Sequence, residues 1–279
     1  IESQVGNIAD DRTEVPLKFA RAILEAVATK LVTQLGDVSK YVGQNFLLPV
    51  QNHGVAARVQ QLQAKAIKYL LENKFLRRAL DKRDQTIELL VATKLGMATV
   101  SSCFDLNVAI RVHADLMKAK EKFSLDTELH LVYLCTPFEG LKVPDQQWSY
   151  FAGRFGKLGA KDARVAAAVG MCEGTLNILA SGKTVKAKAK TEKDILTRAY
   201  FALLLLDLVQ EKPARDACEM YGLTNGAIEK LQKDASQFAG FVTVFCNKLN
   251  EPNLELLFAQ FQDRLIFGVE RVLLELINN

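Results

Sequence analysis

The sequence predicts a mainly α-helical chain: a small domain of three helices and a β-hairpin, then a larger domain of helices alone. Three observations predict it. Apolar residues recur every three to four positions over most of the 279 residues, the spacing of one buried helix face. The period drops to two only once, in FLRRAL (75–80) and TIELLVA (86–92), as in paired strands. Thr224–Leu249 reads as a single long amphipathic helix with a cationic outer face.

In chain order, residues 1–12 read as a linker, 13–98 as the first domain and 99–279 as the helical domain. Pro16 suits a first helical turn, and Leu17, Ala20, Ile23, Leu24, Val27 and Leu31 follow on one face, with Gly36 expected to end the helix. A second helix is expected over Asp37–Leu48, stopped by Pro49, and a third over Val55–Asn73. The hairpin then turns around Asp81-Lys82-Arg83-Asp84. Three helices and a hairpin in this order form the winged-helix pattern, with the third helix in the recognition position.

Beyond Cys103 only helices are expected: Asn107–Lys122, Thr127–Tyr133, Gln147–Leu158, Lys161–Val169, Gly174–Ala180, Thr191–Lys212, Pro213–Tyr221, Thr224–Leu249 and Pro252–Ile277. The LLLLDL run within Thr191–Lys212 should be central core. Gly222 can close one helix in the left-handed conformation, and Thr224 or Asn225 can cap the next.

With 49% hydrophobic and 24% charged residues the composition is globular. The net charge of +4 imposes no global preference for nucleic acid, but the charge is uneven. Arg58–Arg83 carries eight Lys/Arg against Glu72 and Asp81, and Gly182–Lys193 carries five lysines against Glu192. Such segments on a mildly acidic body suggest an anionic partner. The five cysteines have no metal-ligand spacing, and their odd number argues against a disulfide framework, so a reducing compartment is expected. Ile1–Arg12 is too polar for a signal peptide, and the longest apolar run, Ala199–Leu206, is too short to span a bilayer. A first residue of Ile1 rather than Met is expected of a piece of a longer protein.

No autonomous catalytic constellation emerges. SGKT (181–184) ends like a phosphate-binding loop, but Asn177 stands where that motif needs glycine, and no strand precedes it. His53, His113 and His130 are scattered, and His130 lies in an apolar run as a core residue. Cys246 falls on the buried side of its helix. The binding candidates are therefore basic. On the outer face of Thr224–Leu249 stand Lys230, Lys233, Gln237, Gly240 and Lys248: cations for phosphates, an amide for a base or sugar, and a glycine where a backbone can come close. Lys183, Lys186 and Lys188 stand in the lysine-rich loop, and Arg77 and Arg78 on the hairpin. A solvated surface explains each of these residues as well, since exposed lysines are the norm.

Several stretches, taken in order, resemble the helicase region of the polymerase theta and HELQ family of superfamily 2 DNA helicases. They are RAILEAVATKL, KYLLEN, TKLGMATVSS, ELHLVYLCTPF, RVAAAVGM with ASGK, LLLLDL and FAQFQDRLIFGVERVLLEL. The resemblance implies a winged helix and a helical ratchet domain following two motor domains, which would bind ATP and Mg and move 3′ to 5′ on single-stranded DNA. It places the activity in DNA repair, at cross-links and stalled forks, and in the nucleus. The implied partners are single-stranded or forked DNA, the motor domains in cis, and single-strand-binding and recombinase-related proteins, with no membrane. No cofactor is expected in this chain itself. In archaeal relatives of that family a ratchet-helix arginine and, seven residues on, a stacking tryptophan touch the strand; aligned on Gly226 and Ile228, Lys230 and Gln237 take those positions here. Lysine keeps the charge without the guanidinium plane, and glutamine does not stack. Two other classes fit the residues: a free-standing winged-helix regulator of duplex DNA, and a helical protein-interaction scaffold.

Overall fold

The computed structural model describes residues 16–44, 53–81, 84–85, 87–121 and 127–267. These residues are mainly helical, with one two-stranded sheet among them. The expected linker at 1–12, the stop at Pro49, Lys82 and Arg83 at the hairpin tip, and the last helix beyond Phe267 lie outside the described residues. The described residues fall into two compact units. One runs to Ile110 and includes Asn247–Asn250; the other runs from Arg111 to Cys246 and resumes at Glu251.

In the first unit, α1 (Leu17–Ala28) buries Phe19, Ala20, Ile23, Leu24 and Val27. Its end corrects the expected stop at Gly36. Lys30 takes the left-handed conformation (φ 62°), and the Val32 N–H bonds back to the Ala26 carbonyl at 3.1 Å. That closure turns Leu31, expected inward, out to 72% exposure and seats Val32 in the core instead. Gly36 lies in the first turn of α2 (Leu35–Val42), where the Asp37 carboxylate accepts from the Gln34 N–H at 3.3 Å. On α3 (His53–Glu72), Ala66, Ile67 and Leu70 are buried against α1.

Strands β1 (Leu76–Leu80) and β2 (Glu88–Ala92) pair antiparallel from Leu76↔Ala92 to Leu80↔Glu88. Gln34 adds a single antiparallel bridge to Leu89, and the Leu90 N–H donates to the Thr33 carbonyl at 2.8 Å. A helix absent from the sequence expectation follows, α4 (Lys94–Ser101). The Thr93 hydroxyl caps it by accepting from the Gly96 N–H at 3.1 Å. Gly96 is required by contact: a β-carbon there would stand 2.2 Å from the Phe75 carbonyl oxygen. Gly96→Ala is therefore expected to destabilise the chain by at least the ~1–3 kcal/mol typical of overpacking, since a backbone atom rather than a side chain must move. Urea unfolding of the variant checks this.

The second unit is built on α10 (Lys190–Val209), in which every residue from Arg198 to Val209 is buried. Around it pack α6 (Glu128–Cys135), α9 (Glu173–Ala180), α11 (Ala214–Tyr221) and α13 (Pro252–Phe267). The remaining helices are α5 (Leu106–Glu121), α7 (Gln147–Phe155), which packs on α9, α8 (Ala160–Val169), which packs on α6, and α12 (Asn225–Leu249). Gly222 ends α11 at φ 59°, and the Thr224 hydroxyl accepts from the Ala227 N–H at 3.3 Å, so the junction into α12 forms as its residues predict.

Candidate nucleic-acid interface

Helix α12 is 25 residues long and two-sided. Ile228, Leu231, Ala235, Val242 and Phe245 are buried as the spacing predicts, and Leu249 is half-buried. Phe238 joins the buried side, meeting Phe138 edge-on at 5.9 Å between ring centroids. Cys246 is fully buried; burial, with Glu251 and Glu255 nearby, pushes its thiol up to about 12, so it stays protonated and unreactive. Lys230, Lys233, Gln237 and Lys248 are all exposed. At 1.5 Å per residue their ridge is about 27 Å long. None of the three lysines forms an ion pair among the described residues.

What fixes this face is α13. Gln232 Nε2 donates to the Leu265 carbonyl at 3.3 Å, and one turn on Ser236 Oγ donates to the Gln262 carbonyl at 3.0 Å. One turn further, Gly240 lies beneath the Gln262 side chain, whose amide atoms stand 3.2 Å from where a β-carbon would be. Gly240 was expected to leave room for a passing strand. Its lack of a side chain instead admits Gln262 of α13.

The other candidates separate. Lys183 and Lys186 are exposed; of Lys188 only the backbone is described. The SGKT turn is the closing motif of α9. Gly182 sits at φ 73°, its N–H bonds to the Leu179 carbonyl at 3.0 Å, and the Lys183 N–H bonds to the Ile178 carbonyl at 3.2 Å. The backbone therefore offers a helix carboxyl end there, the wrong polarity for holding a phosphate. Arg77 and Arg78 are exposed on β1 in the first unit, and Arg78 is 3.5 Å from Glu88 across the hairpin. As consecutive strand residues they point to opposite sheet faces rather than forming one patch.

Among the described residues, the buried charged groups that escaped the sequence reading include Arg198 and Asp207. Arg198 donates to the Thr136 carbonyl at 2.8 Å and to Asp115 at 2.7 Å, and its guanidinium lies 3.9 Å from the Phe138 ring centroid. Asp207 receives Arg154 on both oxygens and the Tyr221 hydroxyl at 2.7 Å, with Lys212 at 3.2 Å. Burial works to raise the Asp207 carboxyl, but the bonds from Arg154 and Tyr221 outweigh it and hold the group below the usual carboxylate range. The only sequence signal was two charges flanking an apolar run, which says nothing about distant partners.

The geometry is thus a long helix, α12, with unpaired lysines along one exposed face and, over its middle, hydrogen bonds to α13. The model of the family described as DNA_pol_Q helicase like region helical domain matches residues 107–265. The chain is 36% identical over 277 residues to the DNA polymerase theta of Mus musculus, covering 95% of this chain and 11% of that protein. It is 31% identical over 264 residues to the DNA polymerase theta of Drosophila melanogaster, covering 92% and 13%. To the Helicase POLQ-like of Homo sapiens it is 26% identical over 231 residues, covering 82% and 21%. The chain therefore spans only a small part of the length of these relatives, and by its match over residues 107–265 it belongs to the DNA polymerase theta helicase-like helical-domain family.

Proposed function

We propose that this chain is a non-motor, DNA-binding part of an ATP-dependent 3′–5′ DNA helicase acting in DNA repair. On this reading, residues 13–98 are a winged helix and 99–279 a ratchet domain, and α12 lies along the translocating single strand. The observation that carries it is the exposed ridge of Lys230, Lys233, Gln237 and Lys248, whose lysines have no ion-pair partner among the described residues. The names of the relatives, a polymerase and a helicase, support the same direction. ATP and Mg would bind motor domains joined to this chain, so the chain alone is expected to hydrolyse no ATP. A nuclear site of action and single-strand-binding or recombinase-related partners are part of the same proposal.

Lys230→Ala is expected to change stability by no more than about 0.5 kcal/mol, as for a surface substitution. It should also flatten the salt dependence of oligonucleotide affinity by about one unit of slope, because one phosphate contact and its released counterion are lost. Gln237→Ala should leave that slope unchanged. In an intact helicase carrying this chain, both should reduce unwinding more than DNA-stimulated ATP hydrolysis. Melting, oligonucleotide titration across salt, and unwinding assays read these three quantities. Tight duplex binding that survives high salt would favour a winged-helix regulator, and binding to neither DNA form would favour a protein scaffold.

A further inference from the structure

Four cations line one cavity of about 210 Å3 in the second unit: Arg111, Lys142, Lys193 and Arg198. At ~30 Å3 per water, this is room for a phosphate group with part of its hydration. Phe138 and Trp148 line it too, and Trp148 is the only tryptophan in the chain. Arg111 and Arg198 both stack on the Phe138 ring, 4.1 Å and 3.9 Å from its centroid. The ring holds two like charges close together, and Asp115, 2.7 Å from Arg198, balances one of them. Arg111, Lys142 and Lys193 form no ion pair among the described residues. Asp145 and Asp194 also line the cavity as exposed side chains and pair with none of these cations. Lys193, Asp194 and Thr197 come from the first two turns of α10, where the helix dipole favours an anion. The lysine-rich run leads into the same helix end, adding exposed Lys190 one turn from Lys193. Cations outnumber carboxylates at the site.

We propose that this cavity takes a phosphate group, supplied by the backbone of a bound DNA strand or by a free phosphate. The Arg111 guanidinium, held over the Phe138 ring and without an ion pair among the described residues, can turn its donors to phosphate oxygens, while Arg198, whose three nitrogens already donate to Thr136, Asp115 and Leu134, adds positive charge from below. The two ammonium groups add charge without fixed direction, and the Thr197 hydroxyl adds a donor. The strand as source rests on the DNA-binding reading above; the free anion does not.

The test uses Trp148 fluorescence as the reporter of occupancy and the anisotropy of a labelled oligothymidylate as the reporter of DNA binding anywhere. The full chain is titrated with inorganic pyrophosphate and, separately, with the oligothymidylate. Both are expected to change Trp148 emission saturably. The double variant Lys142→Ala/Lys193→Ala, whose changes are on exposed side chains, should lose both responses without a change in melting. Its salt slope for the oligonucleotide should fall by about one unit per lysine removed. Lys230→Ala should keep the pyrophosphate response. A response to pyrophosphate alone identifies a free phosphate as the source. If the oligonucleotide binds but neither ligand moves Trp148, or if the responses persist in the double variant, the cavity proposal is overturned while the DNA-binding reading stands. If the oligonucleotide does not bind at all, that reading fails, and the pyrophosphate titration alone upholds or overturns the cavity.

Discussion

Asp207→Ala is expected to destabilise the second unit by about 3–5 kcal/mol, the cost of removing one partner of a buried ion pair. Asp207 is 3% exposed and accepts from Arg154 and Tyr221. Without it the Arg154 guanidinium keeps its charge but loses both hydrogen bonds to carboxylate, and the Tyr221 hydroxyl loses its acceptor. The Tyr200 hydroxyl, which donates to the Tyr221 carbonyl at 2.7 Å, is tied to the same cluster. Urea unfolding measures the loss, and a change under about 1 kcal/mol would mean that Arg154, whose side chain is 22% exposed, exchanges the carboxylate for water. The double variant Arg154→Met/Asp207→Leu should recover much of the stability, because no charge is then left unpaired. The pH dependence has a definite sign. The folded carboxyl sits below its ordinary value, so its contribution is fully present above the unfolded pKa near ~3.9 and is lost as pH falls through the folded pKa.

Phe245→Ala should cost about 3–5 kcal/mol through the cavity left in the buried side of α12, where Phe245 is 0% exposed. Its neighbour Val244, on the outer face at 39% exposure, provides the control. Val244→Ala should stay within about 0.5 kcal/mol. Two adjacent residues on one helix then differ severalfold in effect, because about 100° of rotation separates a packed ring from a solvated methyl pair. Equal losses would mean that α12 buries both faces, which would remove the ridge of Lys230, Lys233, Gln237 and Lys248 from solvent.

The helices were legible because their burial repeats along the chain. The inward faces of α1 and α12 need no knowledge of distant neighbours, and Gly222 with Thr224 carries its own stop and start. What stayed hidden depends on distance. KLGMATVS has little helical periodicity, and α4 exists because Thr93 caps it and Gly96 fits under the Phe75 carbonyl. The end of α1 was misplaced because Lys30, not glycine, adopts the left-handed conformation that closes it. Arg198 and Asp207 pair with residues 83 and 53 positions away, beyond any local pattern. The same holds for the site: periodicity finds the lysine face of α12, but only Gln262 of α13 explains Gly240.

The contacts of Gln232, Ser236 and Gly240 with α13 recur at every turn of α12 over its middle. Rolling α12 about its own axis by one residue would swing all three away together, break two hydrogen bonds and drive the Gln262 amide into a neighbouring side chain. Over that stretch the outer face of α12 is therefore held at one rotational setting by a single neighbouring helix.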